Sequence, residues 1–263
     1  MNIVLRENEW VEQMISERSL GDTPVETLRR VARYYIDQGC KRKDVVKNVE
    51  LFLLRCNPNA SIPLWYDNIE RAIKTAWKRP ALCIQSIPVT ETEMEKIDAL
   101  KGTQLRRLAF TLICLAKYWN IVRDKSDGWV NSEDNDIMRM ANISTSIKRQ
   151  SALYHDLREA GLIEFSKQVD NTHVRVCFID EGEPAIEVSD FRNLGYRYLM
   201  IKDKNFFECE NCGLVTKIRS KDGVRRKQKY CPKCTFDVHL RQKVESAMRK
   251  SEEIRKICSK KKV

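Results

Sequence analysis

Histidine and glycine are scarce in this chain, at three and nine of 263 residues. None of His155, His173 and His239 stands in a Ser-His-Asp or His-Glu-x-x-His setting, which removes the commonest hydrolytic constellations. The glycines never gather into a phosphate-cradling loop, so a P-loop or dinucleotide fingerprint is excluded as well. No enzyme is expected; only a nuclease built on scattered acidic residues would leave so little trace. Long apolar runs are also missing. The most apolar window, residues 109–116, falls far short of the ~20 residues that cross a bilayer. The opening MNIVLRENEW lacks a basic stretch followed by an apolar one, so the expectation is a cytoplasmic protein, neither secreted nor membrane-spanning.

Cysteine, by contrast, is plentiful, with ten residues. Cys40, Cys56, Cys83, Cys114, Cys177 and Cys258 are scattered without pairing pattern, and only four cluster at ligand spacing, which fits a reducing compartment. An apolar fraction of 42% beside a charged fraction of 32% suits a chain with much surface, as several small domains would have. Length predicts two or three such units. The net charge of +11 is uneven: residues 1–96 carry 15 Lys and Arg against 14 Asp and Glu, residues 97–190 carry 12 against 15, and residues 191–263 carry 21 against 8. The final quarter therefore holds the basic excess, the footprint of a polyanion-binding segment.

The first 80 residues read as helical. Trp10, Met14 and Ile15 share a face; Val25, Leu28, Ala32 and Tyr35 mark a second helix with Thr23 as cap and Pro24 at its first position. Gly39 ends it. A third helix, from about Lys43 to Arg55, faces inward with Val45, Val49 and Phe52, and a fourth after Pro63 with Ile69, Ile73 and Trp77; Pro80 and Pro88 bracket a linker. The order helix, Gly-Cys-Lys turn, helix, Cys-Asn-Pro, then Ile-Pro-Leu before a helix ending Thr-Ala-Trp-Lys loosely resembles the helical module C-terminal to some primase domains, over residues 24–79. An unrelated four-helix bundle used for packing or dimerisation accounts for the pattern equally well.

In the middle region Thr90 and Glu93 form a capping box, and a strongly periodic helix follows Gly102 with Leu105, Leu108, Ala109, Leu112, Leu115, Ala116 and Trp119 inward. After an Asp127-Gly128 turn come Ser132 as a cap, a short helix with Ile137, Met138 and Met140, a turn at Asn142 and a longer helix opening at Ser144. Residues 162–169 and 173–179 read as strands, with Val174, Val176 and Phe178 alternating inward. This order, with the stretch from Asp156 to Phe165, resembles a winged helix-turn-helix over residues 103–180, in which Gly161 would end the recognition helix in the left-handed conformation. A helical wheel over residues 144–160 buries Ile147, Tyr154 and Leu157 and exposes Lys148, Arg149, Ala152, His155, Asp156 and Glu159. Lys148 and Arg149 sit where a recognition helix meets bases. Asp156 and Glu159 would repel phosphates, which leaves protein docking open.

The C-terminal region carries two Cys-x-x-Cys knuckles, Cys209/Cys212 and Cys231/Cys234, with 18 residues between them. That spacing suits a structural four-thiolate zinc site, one ion per chain, with Gly213 in the turn and Phe207, Leu214, Val215 and Ile218 as an apolar layer. Residues 206–236 resemble the zinc-ribbon family, matching its four ligand positions. A redox dithiol would call for a βαβ unit, which is not visible, and a rubredoxin-like iron site is disfavoured by the basic loop. His239 and Cys258 are not expected to be ligands. Between the knuckles, Lys217, Arg219, Lys221, Arg225, Arg226, Lys227 and Lys229 place seven cations within 13 residues, around an Asp222-Gly223 hairpin tip and beside Tyr230. Phosphate neutralisation and stacking of Tyr230 on a base offset the mutual repulsion. From Val238 to Lys256 a basic helix carries Leu240, Val244, Met248 and Ile254 on one side.

The resulting expectation is a mainly α, multidomain chain with small β elements: a helical domain (1–80), a linker and short helix (81–102), a winged-helix-like domain (103–190), a zinc ribbon (191–237) and a basic helical tail (238–263). Its expected role is zinc-dependent nucleic-acid binding, with DNA as partner, in replication initiation or transcription control of a phage or mobile element. The alternative is an adaptor that docks on a replisome or polymerase, with zinc as a staple and the basic tail as a weak nucleic-acid tether.

Overall fold

The structure is a computed structural model and describes residues 3–123, 126–167, 173–221, 224–225 and 228–260. It is mainly helical, at 56%, with small sheets. The chain forms two compact units, residues 2–87 and residues 88–263.

In the first unit α1 (Glu7–Glu17), α2 (Pro24–Asp37), α3 (Arg42–Cys56) and α4 (Ile62–Ala76) follow one another, with α2 packed against the other three. Val11, Leu28, Val31, Val49, Leu53 and Ile73 are completely buried and build one core. Apolar residues three and four apart on each helix produce this seam. Near the core lies a charged group: the Glu7 carboxylate meets the guanidinium of Arg33, and both side chains are almost wholly buried. Arg30 stands 3.6 Å away, and the backbone N–H of Leu82 donates to Glu7 at 3.2 Å. Loss of either partner would strand a buried charge, the costly case for an ion pair. Three details depart from the sequence reading. Val25 and Trp77 are 39% and 44% exposed rather than inward: Val25 lies in the first turn of α2 and Trp77 is the capping residue just past α4. The Thr23 hydroxyl makes no capping bond; its carbonyl instead accepts from the Thr27 hydroxyl at 3.2 Å.

The second unit is organised around α6 (Thr103–Val122). It is preceded by β1 (Ile87–Thr90) and α5 (Glu91–Asp98), whose capping box between Thr90 and Glu93 is present as the sequence suggests. Every residue of α6 from Leu105 to Trp119 except Arg106 and Arg107 is buried, so the helix is covered all round. The periodic stripe seen in the sequence is only one side of this contact. Its other side, with Phe110, Ile113 and Cys114, is closed by a helix that the sequence did not betray. Lys117 is buried there too, and is satisfied by Glu93 at 2.8 Å and by the carbonyls of Pro88 and Asp180 at 2.9 and 3.1 Å.

After α6 come β2 (Trp129–Val130), α7 (Asp134–Met140), α8 (Ile147–Glu159), β3 (Ile163–Phe165) and β4 (Val174–Val176). The three strands form one antiparallel sheet in the order β2-β4-β3, with Trp129 opposite Arg175 and Ile163 opposite Val176. Val174, Val176 and Phe178 are buried, as their alternation implies. The strands are shorter than the sequence suggests, and residues 168–172 of the hairpin lie outside the described residues. Gly161 follows α8 at φ 72°, the left-handed stop that glycine adopts at no steric cost. Helix starts moved: Glu133 rather than Ser132 occupies the N-cap of α7, and the Ser132 hydroxyl accepts the Trp119 indole N–H at 3.2 Å. Ser146 rather than Ser144 caps α8.

Next, β5 (Pro184–Val188) pairs with β1, and α9 (Leu194–Lys202) packs along α6. The sequence boundaries place β5 in the winged-helix-like domain and α9 in the zinc ribbon, and offer no helix at α9. Gly195 permits the close packing of α9: a Cβ there would lie 1.9 Å from the Ala141 carbonyl oxygen. Tyr198 then covers Phe110, ring centres 5.6 Å apart. The chain continues through the pairs β6 (Phe206–Glu208) with β7 (Val215–Lys217) and β8 (Ser220–Lys221) with β9 (Val224–Arg225), and ends in α10 (Pro232–Lys260). No described helix is long and apolar enough to cross a membrane.

Candidate metal centre

The β6–β7 hairpin turns through Cys209 and Cys212. Its closure is set by backbone bonds from Gly213 N–H to the Cys209 carbonyl at 2.9 Å and from Cys209 N–H to the Leu214 carbonyl at 3.1 Å. Gly213, at φ 69°, takes the left-handed position. The second pair is built differently from a ribbon. Cys231 directly precedes α10, Pro232 is its first residue and Cys234 lies in its first turn, so two ligands come from a hairpin and two from a helix start. The basic helix therefore begins at Pro232 and not near Val238. Proline suits this place because its missing N–H would go unused there.

All four sulphurs lie within 4.8 Å of one another, and the group could hold one metal ion. Cys209, Cys231 and Cys234 are buried, and Leu214 and Tyr230 pack against them. The Sγ atoms of Cys212 and Cys231 are 3.8 Å apart, and a tetrahedron with metal–sulphur bonds of about 2.3 Å has edges of about 3.8 Å. Donors surround the sulphurs. The N–H of Cys231 donates to Cys209 Sγ at 3.2 Å, that of Cys234 to Cys231 Sγ at 3.5 Å, and the Asn211 side chain to Cys234 Sγ at 3.3 Å. Such bonds stabilise thiolates and fix their direction.

The electrostatics agree with a cation site. Burial raises the Cys209 thiol, but the backbone N–H groups of Cys231, Asn211 and Cys212 outweigh it and hold its pKa at about 6. Cys212 is pushed up to about 12, first by burial, and burial also raises Cys234. The Cys209 thiolate forms easily while Cys212 and Cys234 resist, so ionising these together calls for positive charge among the sulphurs. His239 is exposed on α10 and is not part of the group. No other cluster of this kind occurs among the described residues.

The basic candidates fall into two places. Lys148 and Arg149 are exposed in the first turn of α8, where Arg149 Nη1 lies 4.0 Å from Asp156. Tyr154 and Leu157 are buried as the wheel requires, but Ile147 is 81% exposed. It is the first residue of α8, and the buried stripe of that helix begins only with Leu153. Lys217 and Arg219 are exposed beyond the metal hairpin, and Lys221 and Arg225 belong to the β8–β9 pair, in which Ser220 faces Arg225 and Lys221 faces Val224. Lys229 is exposed and 3.5 Å from Glu210. Tyr230 is half-buried against the cysteines. Arg226, Lys227 and the Asp222-Gly223 tip lie outside the described residues.

Sequence reasoning missed three residues that shape this site. The Gln228 side chain clamps the base of the basic loop, accepting from Arg219 N–H at 3.3 Å and donating to its carbonyl at 3.2 Å. Asn211, inside the first knuckle, reaches the second. Asn193 donates to the Val215 carbonyl at 2.9 Å and fastens the hairpin to the start of α9. Only Asn211 had a signal in the sequence, its place between two ligands.

Comparison with family models, with curated proteins and with solved structures finds no match to this chain. Of the three resemblances, the one at residues 206–236 has its four cysteines brought together in the structure.

Proposed function

We propose that this chain is a zinc-dependent nucleic-acid-binding protein, with DNA as its partner. The observation that carries the reading is the position of the basic loop: it springs from the four-cysteine cluster and its base is clamped by Gln228. Lys217, Arg219 and Lys229, exposed at the base of that loop, stand close in sequence to a fixed hairpin, and a row of phosphates is the partner that relieves the repulsion among such cations. Zinc is the metal that an all-thiol, closed, tetrahedral set favours, and its role there is structural. The order α6, β2, α7, α8, β3, β4 with a β2-β4-β3 sheet supports a winged-helix reading, with Lys148 and Arg149 at the DNA-facing end of α8. In that reading the chain serves replication initiation or transcription control of a phage or mobile element.

A second reading has two observations in its favour. Exposed Ile147 and the closeness of Arg149 to Asp156 weaken the cationic character of the α8 tip, as a protein-docking adaptor of a replisome or polymerase would have it. Titration of labelled duplex DNA, single-stranded DNA and RNA over a range of salt separates the two. R225Q/R226Q/K227Q should weaken binding to all sequences alike and make the salt slope shallower by about two to three units, since each phosphate neutralised contributes about 0.9 on duplex and about 0.7 on a single strand. Unchanged binding with unchanged salt dependence would overturn the proposal.

A further inference from the structure

Two consecutive residues, Arg192 and Asn193, tie the metal hairpin to the start of α9. The Arg192 guanidinium donates to the carbonyl of Cys212, a ligand of the first knuckle, at 2.5 Å. Asp190 holds that guanidinium through contacts of 2.6 to 3.1 Å. The Asn193 amide donates at 2.9 Å to the carbonyl of Val215, the buried residue with which β7 begins. On its far side the opening turn of α9 has no room to shift, since Gly195 lies hard against the Ala141 carbonyl.

Asn193 also faces the other way. Its side-chain oxygen accepts the Asn142 amide at 2.9 Å, and the Asn142 oxygen accepts the Tyr196 N–H at 2.9 Å. Asn142 belongs to the turn between α7 and α8, four residues before Ser146, the cap of α8. Lys148 and Arg149 follow in the first turn of that helix. A side-chain amide with two fixed partners carries a displacement of one to the other, because a bond of this length does not survive a shift of about 1 Å. We propose that Asn193 is a positioning residue through which occupancy of the four-cysteine site sets the α7–α8 turn. When the four sulphurs are held together, the Val215 carbonyl stays in place, the Asn193 amide is fixed and its oxygen fixes Asn142. When the hairpin opens, the amide loses its acceptor, and the asparagine pair loosens together with the start of α8. The coupling should have the size usual between two linked sites, about fivefold or more. The proposal rests on metal binding by the cysteines and is independent of what α8 contacts.

The test is amide hydrogen exchange, resolved by residue, on the full chain with zinc bound and after chelation. In the wild-type chain, chelation should speed exchange at Asn142, Ile143 and Tyr196 about fivefold or more, while the buried centre of α6 keeps its protection. N193D retains an oxygen for Asn142 but has no donor for Val215. With zinc bound its turn should already exchange like that of the chelated wild type, and chelation should change it no further. N193G, which keeps the left-handed backbone and removes the side chain, should behave in the same way. Since coupling between sites is reciprocal, N193D should also weaken zinc binding about fivefold or more in competition with a chromogenic chelator. A wild-type chain that binds zinc but whose turn exchanges alike in both states overturns the proposal. So does a wild-type response in N193D and N193G, or an equal acceleration in α6, which would mean that the whole unit unfolds. A wild-type chain that binds no zinc removes the metal reading and the proposal with it.

Discussion

Asn142 donates its side-chain amide to the side-chain oxygen of Asn193 at 2.9 Å, across 51 positions of sequence. Both residues are left-handed, at φ 55° and 56°, a conformation asparagine tolerates better than most residues. Each amide is used twice. The Asn142 oxygen accepts the Tyr196 N–H at 2.9 Å, and the Asn193 amide donates to the Val215 carbonyl at 2.9 Å. The turn between α7 and α8, the start of α9 and the metal hairpin are thereby joined by two side chains.

The first prediction concerns that joint. N142A should lower stability by about 2–3 kcal/mol, combining lost hydrogen bonds with left-handed backbone strain. N142G keeps the backbone conformation and should cost less. Urea midpoints of the two variants decide it; an equal loss would show that strain contributes nothing.

Chelation should unfold the metal hairpin and leave α1 to α4 folded, because the four thiolates are gathered by the ion while residues 2–87 have a core of their own. Elemental analysis should find about one zinc per chain, as a single closed site requires. C212S/C231S should abolish it. A zinc content near zero in protein purified without chelator contradicts the zinc assignment.

Replacing Lys148 and Arg149 by alanine tests the exposed tip of α8. If it reads bases, sequence preference should fall by about 1–3 kcal/mol for each good base contact removed. Competition binding with a selected and a scrambled duplex measures this, and unchanged selectivity together with loss of a protein partner would favour the adaptor.

The last prediction is a pH effect at Asp98. Burial acts to raise its carboxyl, but the hydrogen bonds from Lys202 and Tyr198, the latter 2.7 Å long, and the lysine charge bring it below its ordinary value of 3.8. A carboxyl depressed in the folded state contributes stability that is complete above its unfolded value and is lost as pH falls through the folded one. Acid unfolding should therefore weaken the hold of α9 on α5 only below about pH 4. D98N should lower stability at neutral pH and flatten this acid limb. A wild-type acid profile in D98N rules the linkage out.

The helices α1 to α4, the inward stripe of α6, the Thr90 capping box and the four metal ligands were legible because each depends on residues close in sequence. Periodicity, caps and Cys-x-x-Cys spacing are local signals. Where tertiary partners decide, the sequence misled. Ile147 has the wheel position of a core residue but sits a turn beyond the buried stripe of α8. Ser132 has the chemistry of a cap, and Trp119 takes its hydroxyl instead.

By itself, then, the sequence determined the helices α1 to α8 in outline, which four cysteines converge and where the positive charge is concentrated. Only the tertiary structure decided that α6 is covered on all sides, because its second face is closed by α9, whose own pattern is too short and weak to be read without the helix it packs on. It likewise decided that the second cysteine pair opens a helix and does not turn a strand, since Pro232 and the residues after it suit either geometry until the first knuckle fixes where their sulphurs must go.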